Sequence, residues 1–385
     1  MRCSKRSKGV EEFEGPEADS PNASNPSTPS NPAMLPRTVK PIAITFAFLV
    51  SLLSLGAVSA VQTPTPRYPE AVLSNDQIRV RVYLPDPERG FYRSTRFDWS
   101  GVIASLEYQG HQYYGPWFTG TDPTVRDFIY KSDTELIASP QSAVTGPAEE
   151  FSRPQGFAEA KPGGTFVKVG VGVLRKKDDA AYSGYSNYDI VSTGKWEVEE
   201  GPGWIMFTQT LSDPLTGYGY EYRKTLRVTN GRPDLAIEHS LKNTGTKPIE
   251  TVQYNHNFLT LDRATTGPGF AIVTTFPIQV PKPPDSAFAA VAGNEITYSK
   301  TLTGEERVSF QLEGYGKDAK SYDIRVENRK TGAGVRITGD RPLARLPLWS
   351  IRSVLSIEPF VDVTTQPGQT TNWKLVYGYY KNPVK

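Results

Sequence analysis

Proton transfer is the chemistry that the few suitably placed ionisable residues of this sequence can carry. His256 stands between two asparagines in "YNHNFLTLD", residues 254–262, soon after an alternating run, "DLAIEHSLKNTGTKPIETVQ", that reads as two strands and their turn. Such an imidazole is either a packed histidine with a satisfied hydrogen bond or a proton-transfer site on a strand. Asn255 and Asn257 supply amides that can hold its orientation and tautomer. Glu358 sits between Ile357 and Pro359 in "VLSIEPFVDVT", in phase with Val354 and Ser356. A carboxylate in an apolar strand is costly unless it is paired or working; the alternative is a strand-end glutamate partnered by an arginine such as Arg352. The other histidines have simpler readings. His239 is in phase with Leu235, Ile237 and Leu241, which makes it a core residue. His111 follows a turn glycine and reads as a surface or loop-anchoring side chain.

Several other chemistries are excluded. There is no phosphate-cradling glycine loop, no HExxH and no GxSxG elbow. The three histidines are scattered, so a histidine metal cluster is not expected, and no cofactor is implied. The single cysteine, Cys3, lies in the N-terminal segment, which leaves no thiolate or disulfide for the rest of the chain. With 43 Lys+Arg against 41 Asp+Glu there is no basic field for nucleic acid. The 6 Trp and 20 Tyr are compatible with stacking on sugars, as they are with a β-sandwich core.

The elements that must position these residues read as β almost throughout. "QIRVRVYLP" alternates Ile78, Val80, Val82 and Leu84 on one face. "GVIASLEYQGHQYY" reads as two strands around Gln109-Gly110. "KWEVEEGPGWIMFTQTL" is a hairpin turning at Gly201-Pro202-Gly203, and the run before "DLAIEHSL" turns at Asn230-Gly231. Gly170 and Gly172 thin the strand "TFVKVGVGVL", which predicts close approach by another backbone or a ligand. Residues 115–165 and 262–292 read as long loops. No helical period and no repeat is visible, so the fold class is all-β, a large antiparallel sandwich or barrel.

The N-terminus has its own organisation. Residues 1–33 are rich in Ser, Pro, Asn and charge and read as disordered, or as an extension upstream of a true start at Met34. Residues 34–60 combine Arg37 and Lys40, an apolar Ile42–Ala57 stretch and Val58-Ser59-Ala60, the layout of a secretory signal peptide cut after Ala60. The expectation is an exported domain over 61–385, periplasmic or extracellular, touching a membrane only if the 42–60 segment stays uncleaved.

Two segments carry a resemblance. "TGTKPIETVQYNHNFLTLD" resembles the aldose 1-epimerase (galactose mutarotase) family where a strand ends in an Asn-His pair followed by an aromatic and a leucine. "LWSIRSVLSIEPFVDVTTQPGQTTNWKLVYGYY" is similar to that family's close, with a tryptophan, a Glu-Pro pair, a Pro-Gly turn and a last strand. The resemblance spans roughly residues 70–382 and is sharp over 218–262 and 343–380. It implies a galactose mutarotase-like supersandwich and cofactor-free interconversion of sugar anomers. His256 would be the acid and Glu358 the base, Asn255 and Asn257 would orient the histidine or bind hydroxyls, and Trp349 would wall the pocket. The family's earlier Asn-Arg pair and second histidine are missing. Arg153 in "GPAEEFSRPQGF", with Glu149 or Glu150 beside it, is a candidate for the arginine role, unless it is a solvent-exposed loop residue; Arg96 in "YRSTRFDWSG" is a further candidate. The rival readings are a non-catalytic carbohydrate-binding protein on the same fold and a polysaccharide lyase, the latter lacking its usual helical domain.

Overall fold

The structure, a computed structural model, describes residues 68–383. The 1–33 extension and the 34–60 leader expected from the sequence lie outside them. Alternation builds the largest sheet. Tyr218–Val228 and Asp234–Asn243 bury nearly every second side chain, as strands with one face on a core must. They pair antiparallel, with Lys224 opposite His239. They belong to a ten-stranded sheet that runs Lys195–Gly201, Trp204–Asp213, Tyr218–Val228, Asp234–Asn243, Thr370–Lys381, Ala333–Gly339, Asp323–Asn328, Phe270–Thr274, Glu295–Tyr298 and Ala289–Ala292. The hairpin expected at 201–203 is present, with Pro202 and Gly203 joining Gly201 to Trp204 and Gly203 at a φ of 76°.

A three-stranded sheet packs against this layer. Ile249–Phe258 is its centre, flanked by Phe360–Thr365 and Gly146–Phe151. Phe151 meets Tyr222 and Trp373 edge-on across the interface. The fold is thus an all-β sandwich, and the central strand is the one that carries His256. Its last six residues, Gln253 to Phe258, are all buried, because one face looks into the sandwich and the other lies under further loops and strands.

Four expectations are corrected. The stretch 115–165 is not simply loop, since it contains the fully buried strand Gly146–Phe151; "GPAEEF" hides this because burial on both faces removes the alternation that reveals a strand. Likewise 262–292 contains Phe270–Thr274 and Ala289–Ala292. "TFVKVGVGVL" is a hairpin, Thr165–Lys168 against Gly172–Arg175. The close approach predicted at Gly170 is real but internal: at φ of 78°, a Cβ there would come within 2.8 Å of the Asp98 side chain. Finally, "VLSIEPFVDVT" is two strands. Val354–Ile357 pairs with Leu346–Ile351, whereas Phe360–Thr365 pairs with the His256 strand. Glu358-Pro359 is the corner where the chain changes sheets, as suits a proline that has no N–H for a ladder.

Candidate active site

Strand period decides which neighbours face the same way. Successive side chains point to opposite faces, so Tyr254, His256 and Phe258 share one side of their strand while Gln253, Asn255 and Asn257 share the other. The partner strand obeys the same rule. Glu150 lies opposite Tyr254 and Glu149 opposite Asn255, so two consecutive glutamates enter different environments. Glu149 points into the sandwich and Glu150 toward the layer that holds His256.

His256 and Glu358 come together. The imidazole Nε2 is 3.2 Å from Glu358 Oε1, with side-chain exposures of 9% and 12%. The corner at Glu358-Pro359 is fixed by two bonds: the Glu358 N–H donates to the Pro347 carbonyl at 2.9 Å, and the Asn257 amide donates to the Ile357 carbonyl at 2.7 Å. Aromatic rings enclose the imidazole. Phe258 stacks on it at 3.8 Å, and Trp349 and Phe97 present their rings nearly perpendicular to it at 5.5 and 6.0 Å. Burial, reinforced by the Arg96 charge, holds His256 well below its ordinary value of 6.5. Nδ1 is buried without a hydrogen-bond partner among the described residues, so Nε2 is the ring nitrogen that exchanges with Glu358. Burial pushes the Glu358 carboxyl up to about 8 against the pull of Arg96 and Arg345. A neutral imidazole beside a protonated carboxyl is the resting state of this pair at neutral pH.

Arg96, rather than Arg153, is the arginine of the site. Its Nε donates to Glu150 at 3.1 Å, its Nη2 to the Tyr254 hydroxyl at 3.2 Å and its Nη1 to Ser142 at 3.3 Å. Phe97 and Tyr185 each place a ring about the guanidinium, at 4.6 and 4.5 Å. Glu150 also receives Lys168 at 2.9 Å and the Tyr254 hydroxyl at 2.7 Å. Burial alone would push the Glu150 carboxyl up, but Lys168 and Arg96 outweigh it and hold it below its ordinary value. Lys168 in turn donates to the Tyr182 hydroxyl. Gly184, in the segment that supplies Tyr182 and Tyr185, passes so close that a Cβ would sit 3.0 Å from Glu150 Oε1.

The remaining expected residues are placed elsewhere. Arg153 is exposed, and among the described residues its carbonyl alone is engaged, by Thr251 and Gln155; its side chain lies outside the site. Asn255 and Asn257 do not orient His256, because strand alternation turns their amides to the opposite face. Asn255 donates to Glu149 at 3.0 Å. Asn257 accepts from the Tyr377 hydroxyl at 2.8 Å while holding the Ile357 carbonyl. It therefore positions Glu358 through the backbone. Asn257→Leu leaves two buried partners unsatisfied, for which a loss of about 1–3 kcal/mol is expected in urea unfolding. Arg352, considered as a partner of Glu358, instead donates to the carbonyls of Gly304 and Ser132. His239 is a core residue as expected, stacked on Trp373 at 4.5 Å and 2.9 Å from Glu149. His111 anchors the loop at Asp262 through a 3.0 Å contact. Together with Arg81, Glu107 and Arg263, it lines a surface cavity of about 610 Å³ whose lining includes neither His256 nor Glu358.

No protein-family model and no curated protein matches this sequence. Solved structures with a similar chain course include a GalM/aldose epimerase homologue from C. elegans, 15% identical, covering 82% of this chain and 100% of the other with a TM-score of 0.48. A putative aldose 1-epimerase from Escherichia coli K12 is 10% identical over 81% and 99% of the two chains, TM-score 0.45. A galactose mutarotase related enzyme from Lactobacillus acidophilus is 12% identical over 82% and 99%, TM-score 0.44. Similarity at this level leaves the activity to be argued from the site itself.

Proposed function

We propose that this chain is an aldose 1-epimerase-like enzyme that interconverts the anomers of a sugar, with His256 and Glu358 as its acid–base pair. The observation that carries this reading is the direct approach of an imidazole and a carboxyl inside an aromatic wall that includes Trp349. Anomer exchange needs one proton taken from the anomeric hydroxyl and one given to the ring oxygen. Both oxygens are bonded to the same carbon, so the groups that serve them must also be neighbours. As the hydroxyl proton leaves, the carbonyl forms, the bond from the anomeric carbon to the ring oxygen breaks and that oxygen is protonated. The aldehyde then turns, and closure on the other face reverses both transfers. No cofactor enters this balance. The leader expected at 34–60 supports placing this activity outside the cytoplasm.

The pair can give and take only while it holds one proton between its two members. In the free site that proton rests on Glu358. The direction implied by the family resemblance, His256 as acid and Glu358 as base, uses the form in which the proton has crossed the 3.2 Å contact. Both directions carry the same proton count, so a pH profile reads the pair and not either residue. The sign follows from the two directions of shift. Raising pH through about 8 removes the shared proton from Glu358, and lowering it far below 6.5 adds a second at His256. The catalysed rate, after subtraction of the spontaneous one, is expected to hold across neutrality and to fall above about pH 8. Equilibration of α-glucose and α-galactose followed by polarimetry or NMR is the measurement. No acceleration of these or any other aldose would defeat the enzymatic reading.

A further inference from the structure

We propose that the sugar received here is anionic, carrying a carboxylate or a phosphate away from its anomeric carbon, and that Arg345 and Arg126 read that charge. The inference rests on the reading of the His256–Glu358 pair as a sugar site. Both arginines are exposed, and among the described residues neither has an acidic partner within salt-bridge distance. Each is instead held by a ring that leads into the site. The Arg345 guanidinium lies 4.6 Å from the Phe360 ring, and Phe360 stacks at 4.2 Å on Tyr254, whose hydroxyl meets both Glu150 and Arg96. The Arg345 carbonyl also takes the Phe360 N–H at 2.9 Å, which puts this residue beside the Glu358-Pro359 corner. Arg126 lies 5.9 Å from the Tyr185 ring, the same ring that contacts Arg96.

The charge count favours an anion. Arg96, Lys168, Arg126 and Arg345 are four cations set against the carboxylates of Glu150 and Asp127, with Glu358 resting protonated. The hydroxyls of a neutral sugar need donors and acceptors alike, and gain little from exposed cations that lack an acidic partner. A guanidinium fork, by contrast, matches a carboxylate or phosphate in geometry as well as charge, and a ring beneath it limits the freedom lost on binding.

Glucose, glucuronate and glucose 6-phosphate separate the sources of the charge. Anomer exchange would be followed by NMR at low and high salt, beside thermal shifts of the same protein with each sugar. The expected result is a KM for glucuronate or glucose 6-phosphate at least about tenfold below that for glucose, a gap that narrows with salt. Whichever anionic sugar shows it identifies the group. Arg345→Gln and Arg126→Gln are expected to raise that KM several-fold; for Arg126→Gln the effect is absent from kcat, as for lost binding shared by ground and transition states, whereas Arg345→Gln also removes a charge that pulls on Glu358. A protein that accelerates glucose as well as either anion, with equal thermal shifts, overturns the inference and leaves the epimerase reading standing. Preferential binding of an anionic sugar, weakened by Arg345→Gln but without turnover, does the reverse. Neither binding nor turnover of any of the three defeats both.

Discussion

Glu358→Gln and His256→Asn are each expected to slow anomer interconversion by about 10²–10⁴-fold, the range that positioned general acid–base groups supply. Both substitutions keep the size of the side chain and remove its proton chemistry. The double variant is expected to be little worse than either single one, because one proton shared between two groups is useless to the survivor. Multiplied losses in the double variant would mean that the residues act independently. Glu358→Gln has a second signature. A carboxyl whose folded value is raised from 4.5 to about 8 contributes its full share of stability below the unfolded value and loses it as pH rises through the folded one. The native protein should therefore weaken across that window by an amount on the order of a few kcal/mol, and the glutamine variant should not. Urea unfolding at pH 5 and pH 9 is the check: activity lost with stability gained at high pH is a combination that a merely misfolded variant cannot give.

What was legible in the sequence was the part that broke a local pattern. His256 and Glu358 could be found because one imidazole sat in an amide-flanked strand and one carboxylate interrupted an apolar run. The sandwich could be found because its ten-stranded layer alternates cleanly. The supporting charges could not be found in the same way. Arg96 meets Glu150 across 54 positions and Lys168 meets it across 18, and nothing local marks such pairs. Glu149 and Glu150 stand in a strand buried on both faces, where the period of two leaves no trace in hydropathy. Arg153, two residues beyond that strand, was set ahead of Arg96, which the sequence offered only as a further candidate. The reading of Asn255 and Asn257 had a clearer remedy, since adjacent residues on a strand face opposite ways. Strand period alone sends those amides to the sandwich interior.

Lys224→Met is expected to destabilise the protein by about 3–5 kcal/mol at neutral pH, the scale for breaking a buried ion pair from one side. Lys224 lies 3.1 Å from Glu149 and 3.4 Å from Asp98, each nearly inaccessible. Glu149 keeps His239 and Asn255, and burial, which would push its carboxyl up, is outweighed by His239 and Lys224, which hold it at about 2. Asp98 is less well supplied. Burial already raises it above its ordinary value, with Lys224 as the main opposing charge, while Ser100 and Tyr222 donate at 2.7 and 3.1 Å. Without the lysine, Asp98 should stay protonated to higher pH. The damage from Lys224→Met is therefore expected to shrink as pH falls toward 5, which urea unfolding at pH 5 and 8 would measure. A loss under about 1 kcal/mol at both pH values would mean that the cluster specifies the arrangement without stabilising it. The cluster also bears on the chemistry, because Glu149 is joined by one peptide bond to Glu150. The charges that fix one face of that strand in the sandwich thereby also hold the strand whose other face meets Arg96, beside the His256–Glu358 pair.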